Sequence, residues 1–441
     1  MKKTTAIIGL GITGLSSIEF LYGTDNIVVV DSRNQPPELQ QARKRFAKIE
    51  FRLGVEQVDF SGIDRALVSP GVDLRAELLA DARARQIPFV SDIELFMDSV
   101  SAPVIAITGT NGKSTVTELV GEMLTLGGLN PGVGGNLGIP ALTLLDAEHE
   151  AYVLELSSFQ LERLPDTCQF AATTVLNITD DHMDRYASFE EYVRAKQKVY
   201  LNSACCVYNR EDARTKPERE SGKSVSVGLS QPDEGCWGLA EIEGERFIVC
   251  GQTPLIAGQK LSLQGPHNEL NAMTAAALAH SVGVSDDAIC SVLENFEGLA
   301  HRCQTVRQVG GVTFVNDSKA TNVGACLAAL QRFYAGGMPV VLIAGGDGKN
   351  ADFSLLRDAV AKGVKKLVLL GKDAPALQDA LGDLVCTHQV ADMAEAVQAA
   401  NDEAESGDVV LLAPACASFD MYANFAQRGE DFERRVQAVN A

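Results

Sequence analysis

Features typical of membrane and secreted proteins are missing from this sequence. No stretch of 18 apolar residues is present, and the N-terminal MKKTTAIIGLG leads directly into a strand pattern instead of a signal peptide. The ten cysteines contain no C-x-x-C pair, which excludes the usual zinc frameworks and favours reduced, mostly buried thiols. We therefore expect a cytoplasmic protein with no membrane partner and no disulfide framework.

Positive charge is also scarce. Lysine and arginine number 38 against 58 aspartate and glutamate residues, and the formal net charge is −20. Binding to nucleic acid needs a basic face for the phosphates, so we do not expect nucleic acid as a partner. An anionic ligand must instead be held by local lysines, arginines and helix N-termini.

The length of 441 residues exceeds that of one ordinary domain, and a hydrophobic content of 46% is enough to build sizeable cores. Short apolar strands alternate with helical stretches in three blocks, so we predict an α/β protein of three domains. The predicted domains are 1–92, Rossmann-like; 93–298, a P-loop-type central ATPase domain; and 299–441, Rossmann-like. A strand-rich interruption at about 204–265 predicts a small antiparallel β insertion in the central domain.

The stretch TGTNGKST at 108–115 resembles a phosphate-binding loop with one part missing. Gly112, Lys113 and Ser114 match the end of G-x-x-x-x-G-K-[ST], but Ile107 occupies the place of the first glycine. An apolar strand precedes the loop and a pattern of helical spacing follows it, an order that directs backbone N–H groups and the helix dipole at an anion. The context therefore predicts phosphate binding.

A second glycine-rich turn, GLGITG at 9–14, also follows a predicted strand, and Asp31 ends the next strand 17 residues later. Alone, this pattern is typical of a nicotinamide or flavin site in which the acidic residue binds a ribose. The block is short for a full dinucleotide fold, however, and the phosphate loop lies in a separate block. The pattern predicts a nucleotide-like anion at this helix start, with a bound dinucleotide as the alternative.

Polar side chains follow two strands of the central block. Glu155 in LELSSFQL ends one strand and is a hard oxygen ligand suited to Mg²⁺, while His182 lies in an acidic loop beyond another strand. Asn268 and Asn271 share a helix face and suit an adenine or a phosphate, or cap the helix. Lys196 in YVRAKQKVY is, by pattern alone, an exposed lysine on a helix.

The third block opens with His301 and Arg302 at the inferred domain boundary, and NDSKATN ends a predicted hairpin. Asp317, Lys319 and Thr321 alternate in that tract. A carboxylate and a lysine two positions apart at a strand end suit a ribose hydroxyl and a phosphate. An exposed ion pair is the alternative interpretation.

Together these motifs resemble the Mur ligases, the ATP-dependent amino-acid ligases of bacterial cell-wall precursor synthesis. The family's phosphate loop reads T-G-T-N-G-K-[ST], without the early glycine, and further matches are GGNLG, ELSSFQL, DHMDRY, YVRAK and DSKATN. Within the family, the opening GLGITGLS and the ending APACASFDMYANFAQRGEDF resemble the members that add D-glutamate. The sequence departs from that pattern at Ala413 and Phe419, where serine and leucine are usual.

The resemblance implies an ATP-dependent ligase that adds D-glutamate to UDP-N-acetylmuramoyl-L-alanine through an acyl phosphate, acts as a monomer and uses two Mg²⁺ ions. The implied ATP-binding residues are Gly109, Thr110, Asn111, Gly112, Lys113, Ser114, Thr115, Asn268, Asn271, Arg302, Asp317 and Lys319. The UDP-bearing substrate is assigned to Gly11, Ile12, Thr13, Asp31, Ser32, Arg33, Ser69, Pro70, Gly71, Asn136, Ser157, Gln160 and His182.

For the acceptor and the metal ions, the resemblance implies further sets of residues. D-Glutamate is assigned to Thr321, Lys349, Ser418, Phe419 and Phe425. The implied catalytic residues are Lys113, Asn136, Glu155, His182 and Lys196. The implied metal ligands are Ser114, Glu155, His182 and Lys196, where the lysine carries a carbamate derived from CO₂.

Three other interpretations are compatible with parts of the sequence. Another Mur-type ligase or a folylpolyglutamate-type ligase would share the central ATPase domain, but the latter is not expected to carry GLGITG. An NAD-dependent oxidoreductase would account for GLGITG and would change nicotinamide fluorescence on binding. A nucleotide-binding switch would bind ATP without using a second substrate, and phosphate release that depends on substrate would exclude it.

Overall fold

A computed structural model describes residues 2–136, 138–181, 183, 185–219, 222–296, 298, 300–349 and 351–439. His182 lies outside these residues. Within the described ranges, no helix is both long and apolar enough to cross a membrane. All ten cysteines are present as thiols.

The N-terminal part of the chain forms a sheet of five parallel strands. These strands are β1 Thr4–Ile8, β2 Asn26–Asp31, β3 Glu50–Leu53, β4 Arg65–Val68 and β5 Phe89–Val90. The α-helices are α1 Ile12–Leu21, α2 Leu39–Arg45, α3 Ala80–Ala84 and α4 Asp92–Met97. The order across the sheet is β3-β2-β1-β4-β5.

The centre of this first sheet is buried on both faces. The runs TTAII and NIVVVD are almost wholly buried, as expected for central parallel strands covered by helices. The chain proceeds outward from β1 to β2 and β3 and then returns to β4 on the other side of β1. The strand order therefore reverses between β1 and β4, and ligands of open parallel sheets bind outside the carboxyl ends of the strands at such a reversal.

The middle of the chain forms a sheet of nine strands. They are β6 Val104–Thr108, β7 Pro131–Gly135, β8 Ala151–Glu155, β9 Ala172–Val175, β10 Cys205–Asn209, β11 Lys223–Val227, β12 Trp237–Ile242, β13 Glu245–Cys250 and β14 Thr253–Ala257. Its α-helices are α5 Lys113–Leu126, α6 Ser158–Leu161, α7 Phe189–Gln197, α8 Pro266–Ser281 and α9 Asp286–Asn295. The order is β14-β13-β12-β11-β10-β9-β6-β8-β7, so β8 and β9 flank β6.

The predicted antiparallel insertion is correct only in its second half. β12, β13 and β14 form an antiparallel meander, as expected. β10 and β11, which also lie within 204–265, pair in parallel with each other, and β10 pairs in parallel with β9, so both strands extend the central sheet. The physical reason is that a connection from Arg210 to Gly222 joins β10 to β11, which is long enough for a crossover, whereas tight turns join β12 to β13 and β13 to β14.

The C-terminal part of the chain forms a third sheet of six strands. They are β15 Gln304–Val309, β16 Val312–Asn316, β17 Val340–Gly345, β18 Val364–Leu370, β19 Thr387–Gln389 and β20 Val409–Leu412. Its α-helices are α10 Val323–Ala335, α11 Arg357–Gly363, α12 Ala374–Leu381, α13 Met393–Glu403 and α14 Phe425–Gln437. The order is β15-β16-β20-β17-β18-β19, and the predicted β15–β16 hairpin is the antiparallel part.

The three sheets confirm the predicted α/β architecture. The chain divides into two compact units, of which one holds the first two sheets and the other holds the third sheet together with 179–191 and 265–267. The third sheet is covered by apolar cores on both faces, with Leu342 and Leu411 on one face and Ile343 and Leu412 on the other. This alternation is the two-residue period of a strand buried from both sides.

Helix α4 begins with a buried carboxyl group. The hydroxyl of Ser91 caps the helix by accepting a hydrogen bond from the backbone N–H of Glu94 at 3.0 Å. The next residue, Asp92, is buried, and its Oδ1 atom has no hydrogen-bond partner among the described residues. Burial raises the pKa of Asp92 from the usual 3.8 to about 6. Ionisation of this carboxyl group therefore opposes folding at neutral pH.

We expect Asp92→Asn to remove a pH dependence of stability. Because the pKa is raised in the folded state, protonation of Asp92 stabilises the fold fully below pH 3.8, and this contribution is lost as the pH rises through about 6. A shift of this size corresponds to roughly 3 kcal/mol. Thermal unfolding between about pH 4.5 and 7.5 should show the variant gaining stability relative to the wild type as the pH rises. Parallel curves for the two proteins would contradict this prediction.

Candidate nucleotide site

The phosphate loop joins β6 to α5 and depends on two of its glycines. Gly109 has φ +151°, and a Cβ atom there would lie 2.9 Å from Cβ of Leu176. Gly112 has φ +84°, and a Cβ atom there would lie 2.7 Å from Oδ1 of Asn271. Side chains at these positions would meet both a strained backbone and a close neighbour. The predicted ATP residue Asn271 therefore packs directly against the loop.

The strand on one side of β6 fixes the loop. Asn177, just after β9, accepts hydrogen bonds from the backbone N–H groups of Thr110 (2.9 Å, to its carbonyl) and Asn111 (2.9 Å, to Oδ1). Its amide also donates to the carbonyl of Asn111 at 3.0 Å. The sequence pattern did not predict a role for Asn177. Its place directly after a strand that neighbours β6 was the signal available.

Lys113 lies over the loop as a phosphate-binding lysine would. Its Nζ donates hydrogen bonds to the carbonyls of Gly109 at 3.0 Å and Thr110 at 2.9 Å. It is the first residue of α5, where backbone N–H groups and the helix dipole favour an anion. Thr115 is buried in the first turn of the same helix.

The strand on the other side of β6 brings a carboxylate to the loop. Glu155, the last residue of β8, is buried, and its two oxygens accept hydrogen bonds from Ser114 Oγ at 2.6 Å and Asn136 Nδ2 at 2.7 Å. The predicted pair Ser114 and Glu155 is thus brought together. Within the described ranges there is no cluster of three His, Cys, Asp or Glu side chains able to hold a metal ion. A hydroxyl and one carboxylate suit Mg²⁺, which usually takes few protein ligands and completes its shell with phosphate and water.

The interpretation of Lys196 as an exposed lysine is wrong. The side chain is only 2% exposed, because α7 turns Tyr192, Ala195 and Lys196 towards the protein interior. Lys196 Nζ donates to the carbonyl of Gly109 at 2.9 Å and lies 4.6 Å from the centre of the Tyr192 ring. The Tyr192 hydroxyl lies 3.1 Å from Oγ1 of Thr110. Both residues therefore contact the phosphate loop.

Three of the predicted polar residues make hydrogen bonds at the starts of helices. Ser157 and Gln160 form a capping box at α6, in which the Gln160 N–H donates to Ser157 Oγ and Gln160 Oε1 accepts from the Ser157 N–H. Asn268 Nδ2 donates to the carbonyl of Gln264 at 2.9 Å. Substrate contacts of these residues stay predictions.

In the first sheet, Asp31 holds the loops at the carboxyl ends of β1 and β2. Its carboxylate accepts a hydrogen bond from the backbone N–H of Leu10 at 2.8 Å and forms a bidentate ion pair with the guanidinium of Arg33. Burial opposes ionisation, but the hydrogen bonds from Arg33 and Leu10 hold the pKa of Asp31 below its usual value. Both carboxylate oxygens are thus engaged within the chain. Ile12, the first residue of α1, is 60% exposed beside this turn.

In the third sheet, the loops after β16, β17 and β20 carry the predicted residues. Asp317 is buried, which raises its pKa to about 6, and its Oδ1 accepts from the backbone N–H of Cys303 at 3.2 Å. Lys319 Nζ lies 4.0 Å from the centre of the Phe425 ring. Ser418 is buried, whereas Phe419 is 73% exposed.

Lys349 occupies a left-handed backbone conformation with φ +52° at the end of its loop. Its Nζ lies 3.5 Å from Oδ1 of Asp181, and the amide of Asn322 donates to Oδ2 of Asp181 at 3.3 Å. Thr321 precedes Asn322, the N-cap of α10. Lys349 and the amide of Asn322, which follows Thr321, thus bind the carboxylate of Asp181.

Arg428 is a residue that the sequence pattern did not reveal. This buried arginine of α14 donates to Oγ of Ser318 at 3.0 Å, the carbonyl of Ser318 at 2.9 Å and the carbonyl of Cys416 at 3.1 Å. It also approaches the carbonyl of Gly345 at 3.5 Å. Burial lowers its pKa to about 10, so the guanidinium remains charged at neutral pH. One side chain thereby ties together the loops after β16, β17 and β20.

The geometry defines a class of protein: an α/β protein with a glycine-containing loop between β6 and α5 of its second sheet, an arrangement typical of enzymes that bind a nucleoside triphosphate. Three family models match the chain. They are the Mur ligase MurD-like N-terminal domain at 3–91, the Mur ligase middle domain at 107–279 and the Mur ligase glutamate ligase domain at 301–416.

Curated relatives match along the full length. UDP-N-acetylmuramoylalanine–D-glutamate ligases from Pseudomonas fluorescens Pf-5 and Pseudomonas aeruginosa are each 45% identical over 98% of this chain and 97% of their own. The chain therefore belongs to the Mur ligase family, in its UDP-N-acetylmuramoylalanine–D-glutamate ligase branch.

Solved structures agree at the level of the fold. UDP-N-acetylmuramate–alanine ligase from Thermotoga maritima superposes with a TM-score of 0.63 at 19% identity, covering 99% of each chain. MurF from Acinetobacter baumannii superposes with a TM-score of 0.64 at 21% identity, and the match covers 97% of this chain and 93% of the MurF chain.

Proposed function

We propose that this chain is an ATP-dependent ligase that joins D-glutamate to UDP-N-acetylmuramoyl-L-alanine and releases ADP and phosphate, a step of peptidoglycan precursor synthesis. Ligases of that name are 45–46% identical to this chain over 98% of its length, which supports the assignment of these substrates. The observation that carries the proposal is the phosphate loop with Lys113 over its carbonyls and the Ser114–Glu155 contact at its edge.

The residues of the loop suit the first half of the reaction. A carboxylate oxygen of the L-alanyl group attacks the γ-phosphorus of ATP, the bond to ADP breaks, and an acyl phosphate forms. Lys113 can turn from its two carbonyls to the phosphates, where its charge offsets the crowding of two anions. Backbone N–H groups at the start of α5 add donors for the same phosphates.

The second half forms the amide bond. The amine of D-glutamate attacks the acyl carbon and loses a proton, and inorganic phosphate leaves with the electrons of the broken C–O bond. Asn136 would orient the reacting group, and its hydrogen bond to Glu155 at 2.7 Å supports this role. Water must be excluded so that the acyl phosphate is not hydrolysed.

Mg²⁺ would supply a Lewis acid that neutralises phosphate charge. Ser114 Oγ and the Glu155 carboxylate, 2.6 Å apart, would hold one ion. Two ions are proposed, the second served by His182 and Lys196.

We propose a carbamate on Lys196 as the second anionic ligand. Formation of a carbamate needs the neutral amine, and burial of the side chain penalises a charged one. The carbamate N–H would still donate to the carbonyl of Gly109, while two new oxygens would extend from the former amine. Hard oxygen ligands of this kind suit Mg²⁺.

The acceptor pocket proposed for D-glutamate consists of Thr321, Lys349, Ser418, Phe419 and Phe425. Lys349 already binds a carboxylate in this structure, that of Asp181. The remaining proposals are that ATP contacts Arg302, Asp317 and Lys319, and that the enzyme is a cytoplasmic monomer without a nucleic-acid partner. The formal net charge of −20 supports the absence of nucleic acid.

A comparison of acceptors tests the proposed function. ADP release is measured with ATP and UDP-N-acetylmuramoyl-L-alanine, and D-glutamate, L-glutamate or meso-diaminopimelate is added in turn. Of the three acceptors, we expect only D-glutamate to support turnover. Turnover that prefers meso-diaminopimelate would point to another Mur-type ligase, and turnover with a folate and L-glutamate would point to the folylpolyglutamate type.

Replacement of Arg428 should weaken D-glutamate use and the stability of its unit. Arg428→Ala removes the donor for the buried carbonyls of Ser318 and Cys416, and each carbonyl left unsatisfied costs roughly 1–3 kcal/mol. We expect a lower melting temperature and a KM for D-glutamate raised by roughly tenfold. Arg434→Ala, on the exposed side of the same helix, is the control and should change neither quantity. Equal behaviour of the two variants would contradict the role of Arg428.

A further inference from the structure

The side chain of Arg163 binds backbone carbonyls of one loop of the first sheet. The residue lies two positions beyond α6. Its Nη1 donates to the carbonyls of Val68 at 2.5 Å and Ser69 at 2.6 Å, and its Nη2 reaches the carbonyls of Pro70 at 3.4 Å and Val72. Four carbonyls of the segment 68–72 thus converge on one guanidinium.

The segment 68–72 lies where the strand order of the first sheet reverses. It begins with Val68, the last residue of β4, which neighbours β1, and the backbone N–H of Ser69 donates to the carbonyl of Ile8 at 2.9 Å. The Ser69 hydroxyl donates to the carbonyl of Gly9 at 2.9 Å. A Cβ atom on Gly9 would lie 3.1 Å from both Cβ and Oγ of Ser69. The segment therefore also fixes the position of the glycine-rich turn.

The direction of these carbonyls determines the direction of the N–H groups. In a trans peptide the carbonyl and the following N–H point to opposite sides. There are no cis peptide bonds among the described residues. Because the carbonyl of Pro70 points to Arg163, the N–H of Gly71 points away from it. A backbone donor beside a glycine-rich turn is suited to an anionic ligand.

Arg163 belongs to the segment that follows Glu155, the residue whose carboxylate accepts from Ser114 of the phosphate loop. Helix α6 follows Glu155 by a two-residue link and is fixed by its capping box. The charge of the buried Asp92 also interacts favourably with Arg163. Arg163 therefore connects the segment after Glu155 with the segment 68–72.

We propose that Arg163 is a positioning residue for the UDP-bearing substrate, which orients the segment 68–72 and its Gly71 N–H towards the substrate's diphosphate. This inference rests on the proposed function, because that function supplies the ligand. Arg163 does not touch the reacting atoms. Its loss should act on substrate binding rather than on the chemistry at the phosphate loop.

Steady-state kinetics of Arg163→Ala and Arg163→Lys test this role. We expect the KM for UDP-N-acetylmuramoyl-L-alanine to rise by roughly tenfold or more in both variants, with the KM for ATP and kcat within about threefold of wild type. Lysine keeps the charge but not the planar fork that spans several carbonyls, so it should not restore binding. Binding of UDP alone, measured by calorimetry, should weaken in parallel.

The control is Arg85→Ala, which removes an exposed arginine of the N-terminal part that pairs with Asp59 and Asp81. It should match the wild type. Equal rises of both KM values in the Arg163 variants, or an unchanged KM for the UDP substrate, would overturn the inference. If Arg163→Ala does not fold, the KM values and kcat of Arg163→Lys alone test the inference. Failure of the wild type to turn over would refute the proposed function instead, so the two failures are distinguishable.

Discussion

Replacement of Lys113 by alanine is expected to lower kcat by ~10³-fold or more, because it removes the charge that stabilises the transferring phosphoryl group. The structure places Lys113 Nζ 3.0 Å from the carbonyl of Gly109 and 2.9 Å from that of Thr110, over the loop. The loop itself is held by Asn177 and by the packing of its glycines. The fold of the loop should therefore survive the substitution.

The measurement is ADP release at saturating concentrations of all three substrates, together with thermal unfolding. Lys366→Ala is a matched control, since Lys366 is also partly buried and pairs with Glu403 at 2.8 Å, but lies on β18 away from the candidate residues. We expect the control to keep its turnover. A Lys113→Ala variant that turns over within a few-fold of wild type would show that the loop is not the site of phosphoryl transfer.

The sequence predicts the phosphate loop well because its determinants are local. The order of strand, glycine turn and helix is readable in 103–126, and β6 and α5 begin and end close to the expected positions. The same holds for the β15–β16 hairpin, where GG separates two alternating runs. In both places the backbone conformation depends on residues that are neighbours in the chain.

Contacts between distant segments could not be predicted in the same way. The side chains of Arg163 and Arg428 bind carbonyls that are about 90 and up to 110 positions away. Because every residue has a backbone carbonyl, the sequence does not indicate which carbonyls accept a hydrogen bond from a distant side chain. The parallel pairing of β10 with β11 was missed for a related reason, because strand direction depends on the connection rather than on strand composition.

Burial of a polar residue on a helix belongs to the same class of problem. The run YVRAK places Lys196 on the face of α7 that also carries Tyr192, and that face is buried. Tyr192 marked this face as the apolar one, but a lysine four positions on favours a solvent-exposed assignment. Only the fold shows that the lysine reaches the phosphate loop.

Loss of Lys196 should be about as damaging as loss of Lys113, although Lys196 is expected to act as an anion. As an ammonium group it would repel Mg²⁺, whereas a carbamate presents two oxygens of the kind that Mg²⁺ prefers. Lys196→Ala should therefore lose nearly all activity. Lys196→Arg should not restore activity even though it keeps a positive charge, because arginine cannot form the carbamate and remains protonated.

The mass of the native protein in bicarbonate buffer and the rate of Lys196→Arg decide the question together. We expect an added mass of one CO₂ on the wild type and none on Lys196→Arg. Acetate at high concentration should recover part of the rate of Lys196→Ala, because a small carboxylate can occupy the vacated space beside Gly109. Full activity of Lys196→Arg would mean that the carbamate is absent or has no function here. Because the guanidinium of that variant could still donate to the carbonyl of Gly109, the comparison separates a ligand role from a merely structural hydrogen bond.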